Sequence, residues 1–180
     1  MDTQLMEVIY DKHKNTVYRT AFTYFKNTAD AEDITSEVFI KCFEQDSNYN
    51  SDEHLKAWLI RCTINRCRDV LRSFRYKNHV SLEEADLVYE TPEESTVYHA
   101  VMNLPSKYRI VIHLYYYEGY SVDEIAGITE KSSTAVQTQL YRARNKLAKI
   151  LGEELDYEYS GLQRSNRPSG SKRKMQRRGI

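Results

Sequence analysis

The chain has 180 residues, 41% hydrophobic and 29% charged, with a formal net charge of zero. That suffices for one medium or two small folded units with a real core. Six glycines and three prolines speak against a turn-rich β architecture, and no apolar run is long enough to span a bilayer.

The zero net charge conceals an asymmetry. Residues 163–180 hold seven basic residues and no acid. Residues 1–162 then carry 19 basic against 26 acidic residues, an excess of seven negative charges. Phosphate neutralisation dominates free affinity for DNA. A folded part of this charge suits delivery to DNA by a larger basic partner better than unaided binding. The start, MDTQLMEVIYDKHKN, has no signal-peptide apolar segment, so a cytoplasmic location is expected. Cys42, Cys62 and Cys67 lack metal-site spacing and read as buried free thiols.

Residues 3–26 predict a first helix, with Leu5, Val8, Ile9, Val17, Tyr18, Ala21, Phe22 and Phe25 on its apolar side. Thr28 is the expected cap of a second helix, whose stripe is Ile34, Val38, Phe39, Cys42 and Phe43. Its other side shows Asp30, Asp33, Glu37 and Glu44, either a solvated face or a surface for a basic partner. After a polar loop, Ser51 caps a third helix with Leu55, Trp58, Leu59, Cys62, Val70 and Leu71 inward. Arg61, Arg66, Arg68, Arg72 and Arg75 crowd the remaining surface. Arginines near aromatic rings can hold single-stranded nucleic acid. Equally, they can be neutralised by the acidic second helix.

Residues 78–90 lose the helical period and turn acidic, as a linker would. Thr91-Pro92-Glu93-Glu94 restarts a helix with a cap, a proline at the first helical position and a capping-box glutamate. Pro105 opens another helix, ended by Gly119. Ser121 and Glu124 form an S-x-x-E capping box before Val122, Ile125, Ala126 and Ile128. Ser132 caps a last helix whose inward stripe is Val136, Leu140, Ala143, Leu147 and Ile150/Leu151. A short capped helix, a tight turn and a longer helix with a polar, partly basic face match a helix-turn-helix. Two amphipathic helices and a turn also occur in helical domains that never touch DNA.

The expected fold class is all-α: two small helical bundles joined by an acidic linker, the second containing the helix-turn-helix. The expected division is 1–77, linker 78–90, 91–155, and a basic disordered tail over 156–180. No nucleotide-binding loop, nucleophile elbow or Cys/His cluster is present, so no catalytic site, metal or cofactor is expected.

Two blocks together resemble the small, two-domain extracytoplasmic-function sigma factors of bacterial RNA polymerase. DAEDITSEVFIKCFE (30–44) with LKAWLIRCTINRCRDVLR (55–72) is similar to the family's second conserved region. LPSKYRIVIHLYYYEGYSVDEIAGI (104–128) with VQTQLYRARNKL (136–147) is similar to its fourth. The resemblance implies core RNA polymerase and promoter DNA as partners, allows an anti-sigma protein, and implies no membrane insertion. By its pattern Asp30, Asp33, Glu37, Phe39 and Ile40 would contact core polymerase. Tyr49, Asn50, Ser51 and His54 would capture an unpaired base of the proximal promoter element. Trp58, Arg61, Asn65, Arg68 and Arg72 would line the melted strand. In the distal element, Ser133, Thr134, Gln137, Thr138 and Tyr141 would meet bases. Lys107, Lys131, Arg142 and Arg144 would meet phosphates. The chain departs from the pattern in the turn, where Glu130 and Lys131 replace a usual glycine and aliphatic residue, and in the few basic residues opening its last helix. The competing readings are a stand-alone helix-turn-helix regulator and a helical interaction protein that has lost DNA contact.

Overall fold

The structure, a computed structural model, describes residues 3–45, 49, 51–73 and 92–152, and for 92–96 the backbone alone. Asn50, Arg75, the Thr91 cap, the linker 78–90 and the tail 156–180 lie outside the described residues. Among the described residues the chain is all-α. The helices are α1 (Thr3–Phe25), α2 (Thr28–Glu44), α3 (Asp52–Arg72), α4 (Pro92–Met102), α5 (Ser106–Ile112), α6 (Val122–Thr129) and α7 (Ser133–Leu151). A π-helical segment, His113–Tyr117, continues α5.

α1, α2 and α3 pack on one another as a first bundle. The buried line of α1 runs through Ile9, His13, Val17, Ala21 and Phe25, a four-residue step that keeps one face inward. Leu5 and Val8, expected on that face, are 49% and 59% exposed. Leu5 sits near the open N-terminal end of α1, and Val8 falls beside the line rather than on it. His13 is the polar member of the line, and its Nε2 lies 3.0 Å from Asp52 Oδ1 in the first turn of α3. Lys12 reaches the same carboxylate at 2.9 Å, so Asp52 ties α1 to α3 and its acidity is increased by both partners. From α3, Leu59, Ile60 and Ile64 are sealed from solvent. Each such side chain contributes roughly 1.5–3 kcal/mol by burial.

Two local details differ from expectation. The cap of α2 is Asn27, one residue before Thr28. Asn27 Oδ1 accepts from the Asp30 amide at 2.8 Å while its Nδ2 donates to Asp30 Oδ2 at 2.6 Å, so the cap and the first turn hold each other. Lys26 takes a left-handed φ of 62°, which lets α1 stop and α2 begin within two residues. Cys62, expected buried, is half exposed, whereas Cys42 and Cys67 are buried as expected.

In the second bundle α7 is the spine, packed against α4, α5 and α6. Val136, Leu140, Ala143 and Leu147 form its buried stripe, while Ile150 at its end is 49% exposed. The capping box of Ser121 and Glu124 is present in full, and Ser132 accepts from the Ala135 amide as cap of α7. The two bundles are not apart. α5 packs on α1, and α6 on α3.

Candidate nucleic-acid and polymerase-binding surfaces

The last helix presents the surface of the helix-turn-helix. Thr134, Gln137, Thr138, Tyr141 and Arg142 are exposed along one side of α7. Ser133 is half-buried, its hydroxyl donating to Asp123 Oδ1 at 2.5 Å across the turn. Thr138 Oγ1 donates to its own helix at the Thr134 carbonyl. Arg144 Nε donates to Tyr116 Oη at 2.9 Å, and its guanidinium lies 5.5 Å from the Tyr115 ring centroid. That arginine is held against the aromatic end of α5 rather than extended into solvent. Lys131 is half-buried and donates to Gln139 Oε1 at 3.0 Å. Burial, then Arg68 and Lys107, lower its ammonium below the usual lysine range. Glu130 holds φ 57°, ψ 46°, the left-handed turn conformation between α6 and α7.

At the N-terminal end of α3, Tyr49, His54 and Trp58 gather. The Tyr49 ring is 5.5 Å from Trp58 and 6.3 Å from His54. Ser51 spends its hydroxyl as the cap of α3, accepting from the His54 amide at 3.1 Å. Further along, Arg68 Nη1 donates to Asn65 Oδ1 at 3.3 Å, and Arg72 stands exposed beside Asp69. Arg61 and Arg68 do not point only to solvent. Arg61 Nη2 donates to the Gly127 carbonyl at 2.8 Å and Arg68 Nη2 to the Thr129 carbonyl at 3.3 Å, both in the last turn of α6.

On α2, Asp33, Glu37 and Ile40 are exposed and Asp30 is half-buried. Glu37 accepts two bonds from Arg66, one from Nη2 at 3.0 Å and one from Nε. The Arg66 guanidinium keeps the Glu37 carboxyl below its ordinary range. Phe39 is a correction. It is 3% exposed, edge-on to Tyr10 at 4.9 Å, and belongs to the core under the acidic face. Val38 and Phe39 are consecutive buried residues of a stripe, so Phe39 faces inward where Ile40 faces out.

Residues the sequence reading passed over lie between the bundles. Arg109 is 4% exposed. Its guanidinium donates to the Thr23 and Tyr24 carbonyls of α1, at 2.6 and 3.0 Å, and to those of Met102 and Leu104, at 3.0 and 2.6 Å. The terminal carbonyls of a helix have no partner within it. Arg109 therefore serves the C-terminal ends of α1 and α4 together. Nearby, Lys56 of α3 pairs with Glu118 Oε2 at 2.7 Å, and Arg19 of α1 bonds the Tyr117 hydroxyl. His113 stacks on Tyr117 and lies 3.6 Å from Glu118, and burial lowers its pKa to about 4. The available signal was an arginine inside the apolar run YRIVIHL (108–114). Among the described residues no group of three His, Cys, Asp or Glu side chains could hold a metal ion. No described helix is long and apolar enough to cross a membrane.

Comparison with known proteins gives the family. Residues 9–75 match the family described as Sigma-70 region 2, and residues 95–147 that described as Sigma-70, region 4. The RNA polymerase sigma factor SigV of Bacillus subtilis is 30% identical over 135 residues, covering 73% of this chain and 81% of SigV. The ECF RNA polymerase sigma factor SigW of the same species is 26% identical over 162 residues, covering 79% and 87%. BldN of Streptomyces coelicolor, also an ECF sigma factor, is 28% identical over 158 residues, covering 81% of this chain and 60% of BldN. Two solved structures share the fold. RpoE of Bartonella quintana, in complex with the anti-sigma factor NepR, superposes with a TM-score of 0.63 at 20% identity, covering 82% of this chain and 94% of RpoE. CnrH, in complex with the cytosolic domain of CnrY, gives 0.61 at 22% identity, covering 85% and 91%.

Proposed function

The chain belongs to the sigma-70 family of RNA polymerase sigma factors, in its extracytoplasmic-function type, and from that premise we propose how its surfaces divide the work of starting transcription. The chain is a promoter-recognition subunit of RNA polymerase and performs no catalysis of its own. The outer face of α2, with Asp30, Asp33, Glu37 and Ile40, docks on a basic surface of core polymerase. Tyr49, Ser51, His54 and Trp58 offer stacking faces and polar edges to an unpaired base of the proximal element. Arg61, Asn65, Arg68 and Arg72 continue from there along the displaced strand. Thr134, Gln137, Thr138 and Tyr141 read the distal element in the major groove, with Lys131, Arg142 and Arg144 toward phosphates. Residues 1–77 and 91–155 act as the two units, with 78–90 between them. The cytoplasm, where polymerase works, is the location, and an anti-sigma protein is a further partner.

The carrying observation is that α7 keeps its polar side exposed while Val136, Leu140, Ala143 and Leu147 are buried against the helices it packs on, α4, α5 and α6. Any surface helix keeps a polar side outward; the match of residues 95–147 to Sigma-70, region 4 supports taking this side as the DNA face. Adding the chain to core polymerase on genomic fragments should yield transcripts with defined starts. Absence of any defined start would overturn the reading. For the docking face, Asp33→Arg reverses an exposed charge and should weaken binding to core polymerase about tenfold. Unchanged affinity in a polymerase titration would remove α2 from the interface.

A further inference from the structure

The polar side of α7 does not stop at the residues assigned to bases. Gln137, Tyr141 and Arg144 follow at steps of four and three, one line along the helix. Gln137 and Tyr141 are exposed and Arg144 is half-buried. Beyond its first turns a recognition helix leaves the base edges, and side chains there meet the DNA backbone. Arg144 stands at that point, and what holds it comes from another element.

The π-helical segment His113–Tyr117 supplies two rings. Those of Tyr115 and Tyr116 lie 4.9 Å apart at 75° and form a corner. The Arg144 guanidinium sits 5.5 Å from one centroid and 5.6 Å from the other. Its Nε donates to Tyr116 Oη at 2.9 Å. Aromatic faces hold an arginine without cancelling its charge, as a carboxylate would. An arginine already held also loses less side-chain freedom when it binds. The phenol oxygen that accepts from Arg144 keeps its own O–H to donate. Accepting from a cation polarises that O–H and strengthens it as a donor. Tyr116 is 45% exposed, so a ligand can reach it.

We infer that Tyr116 is a DNA contact of the distal element, donating its hydroxyl to a backbone phosphate beside Arg144, and that the Tyr115–Tyr116 corner pre-positions that arginine. The ligand is a phosphodiester of duplex DNA next to the bases that α7 reads. The contact adds affinity and fixes the helix on the duplex, and it carries no sequence preference. This rests on the reading of α7 as the distal-element helix.

Tyr116→Phe removes the hydroxyl and keeps the ring. Circular dichroism checks that each variant keeps its helices. Core polymerase saturated with the full chain is titrated against a fluorescein-labelled promoter duplex at several salt concentrations, and against duplexes that differ only in the distal element. Tyr116→Phe should weaken binding about fivefold. The factor should be the same on every distal sequence, and the log–log salt slope should not move, because no charge is lost. Arg144→Ala should weaken binding and make the slope shallower by about 0.9. Arg144→Lys should restore the slope without restoring the affinity, since lysine lacks the Nε–H that engages Tyr116. In either Arg144 variant, Tyr116→Phe should cost about twofold at most, the sign of two residues acting as one. No loss with Tyr116→Phe alone overturns the contact and leaves the α7 reading standing. A loss that varies with distal sequence, or one undiminished in the Arg144 variants, overturns it as well. An unaltered chain that binds every distal sequence alike sinks the α7 reading and this contact with it.

Discussion

His113 shows how one side chain in the seam between the bundles responds to pH. Glu118 faces it from one side at 3.6 Å, Tyr117 stacks on it, and Arg19 and Lys56 approach from α1 and α3. Burial outweighs the nearby carboxylate and holds its pKa at about 4, below the ordinary value of 6.5. The unfolded chain therefore binds a proton first as the pH falls. Stability from this residue is complete above pH 6.5 and is lost progressively toward pH 4, on the order of 3 kcal/mol in all. Urea midpoints should fall between pH 7 and 5, and His113→Gln should flatten that fall. Glu130 carries a different kind of strain. Its left-handed φ of 57° is easy for glycine and costs an L side chain about 1–2 kcal/mol. Part of that is returned by the greater freedom of glycine when unfolded. Glu130→Gly should thus stabilise the protein by about 0.5–1 kcal/mol in a urea titration, and a destabilised variant would show that the Glu130 side chain contributes more than its backbone costs.

At the scale of the helix, what was legible in sequence is what is settled within a turn or two. Ser51, Ser121 with Glu124, and Ser132 cap the helices they were expected to cap, because a cap needs only an amide two or three residues away. The stripe of α7 was legible for the same reason up to Leu147, and of the pair Ile150/Leu151 that closes it Leu151 packs on the core while Ile150 is 49% exposed. The π-helical turn at His113–Tyr117 was not foreseen, since no residue in HLYYY breaks an α-helix by itself. Nor were the partners of Arg61, Arg68 and Arg109, each more than 60 residues away for at least one bond, within reach of periodicity. On the recognition helix, exposure now separates the expected contacts. Gln137 points out near its start, whereas Arg144 is engaged with Tyr116. Gln137→Ala should cost about 1–3 kcal/mol of base discrimination at one position of the distal element, with core binding unchanged. A selection of randomised distal elements with the reconstituted enzyme would reveal it, and an identical profile would show that Gln137 reads no base.

For the molecule as a whole, the balance of charge limits what the free chain can hold. Residues 1–162 carry seven more acids than bases, and the packing of α6 on α3 engages two of the arginines suited to DNA. The free chain should consequently hold duplex DNA weakly and without preference for a promoter. What binding remains should come from the seven basic residues of 163–180. Each phosphate neutralised on B-DNA contributes about 0.9 to the salt exponent, so seven cations give a log–log slope no steeper than about −6. Titrations of labelled promoter and scrambled duplexes at several salt concentrations would measure this, with and without residues 163–180. Removing those residues should abolish binding by the free chain while leaving promoter-directed transcription by the assembled enzyme in place. Discrimination between promoter and scrambled duplex should arise only after core polymerase is added. A free chain that already preferred the promoter would mean that its acidic excess does not restrain it, and that recognition needs no larger carrier.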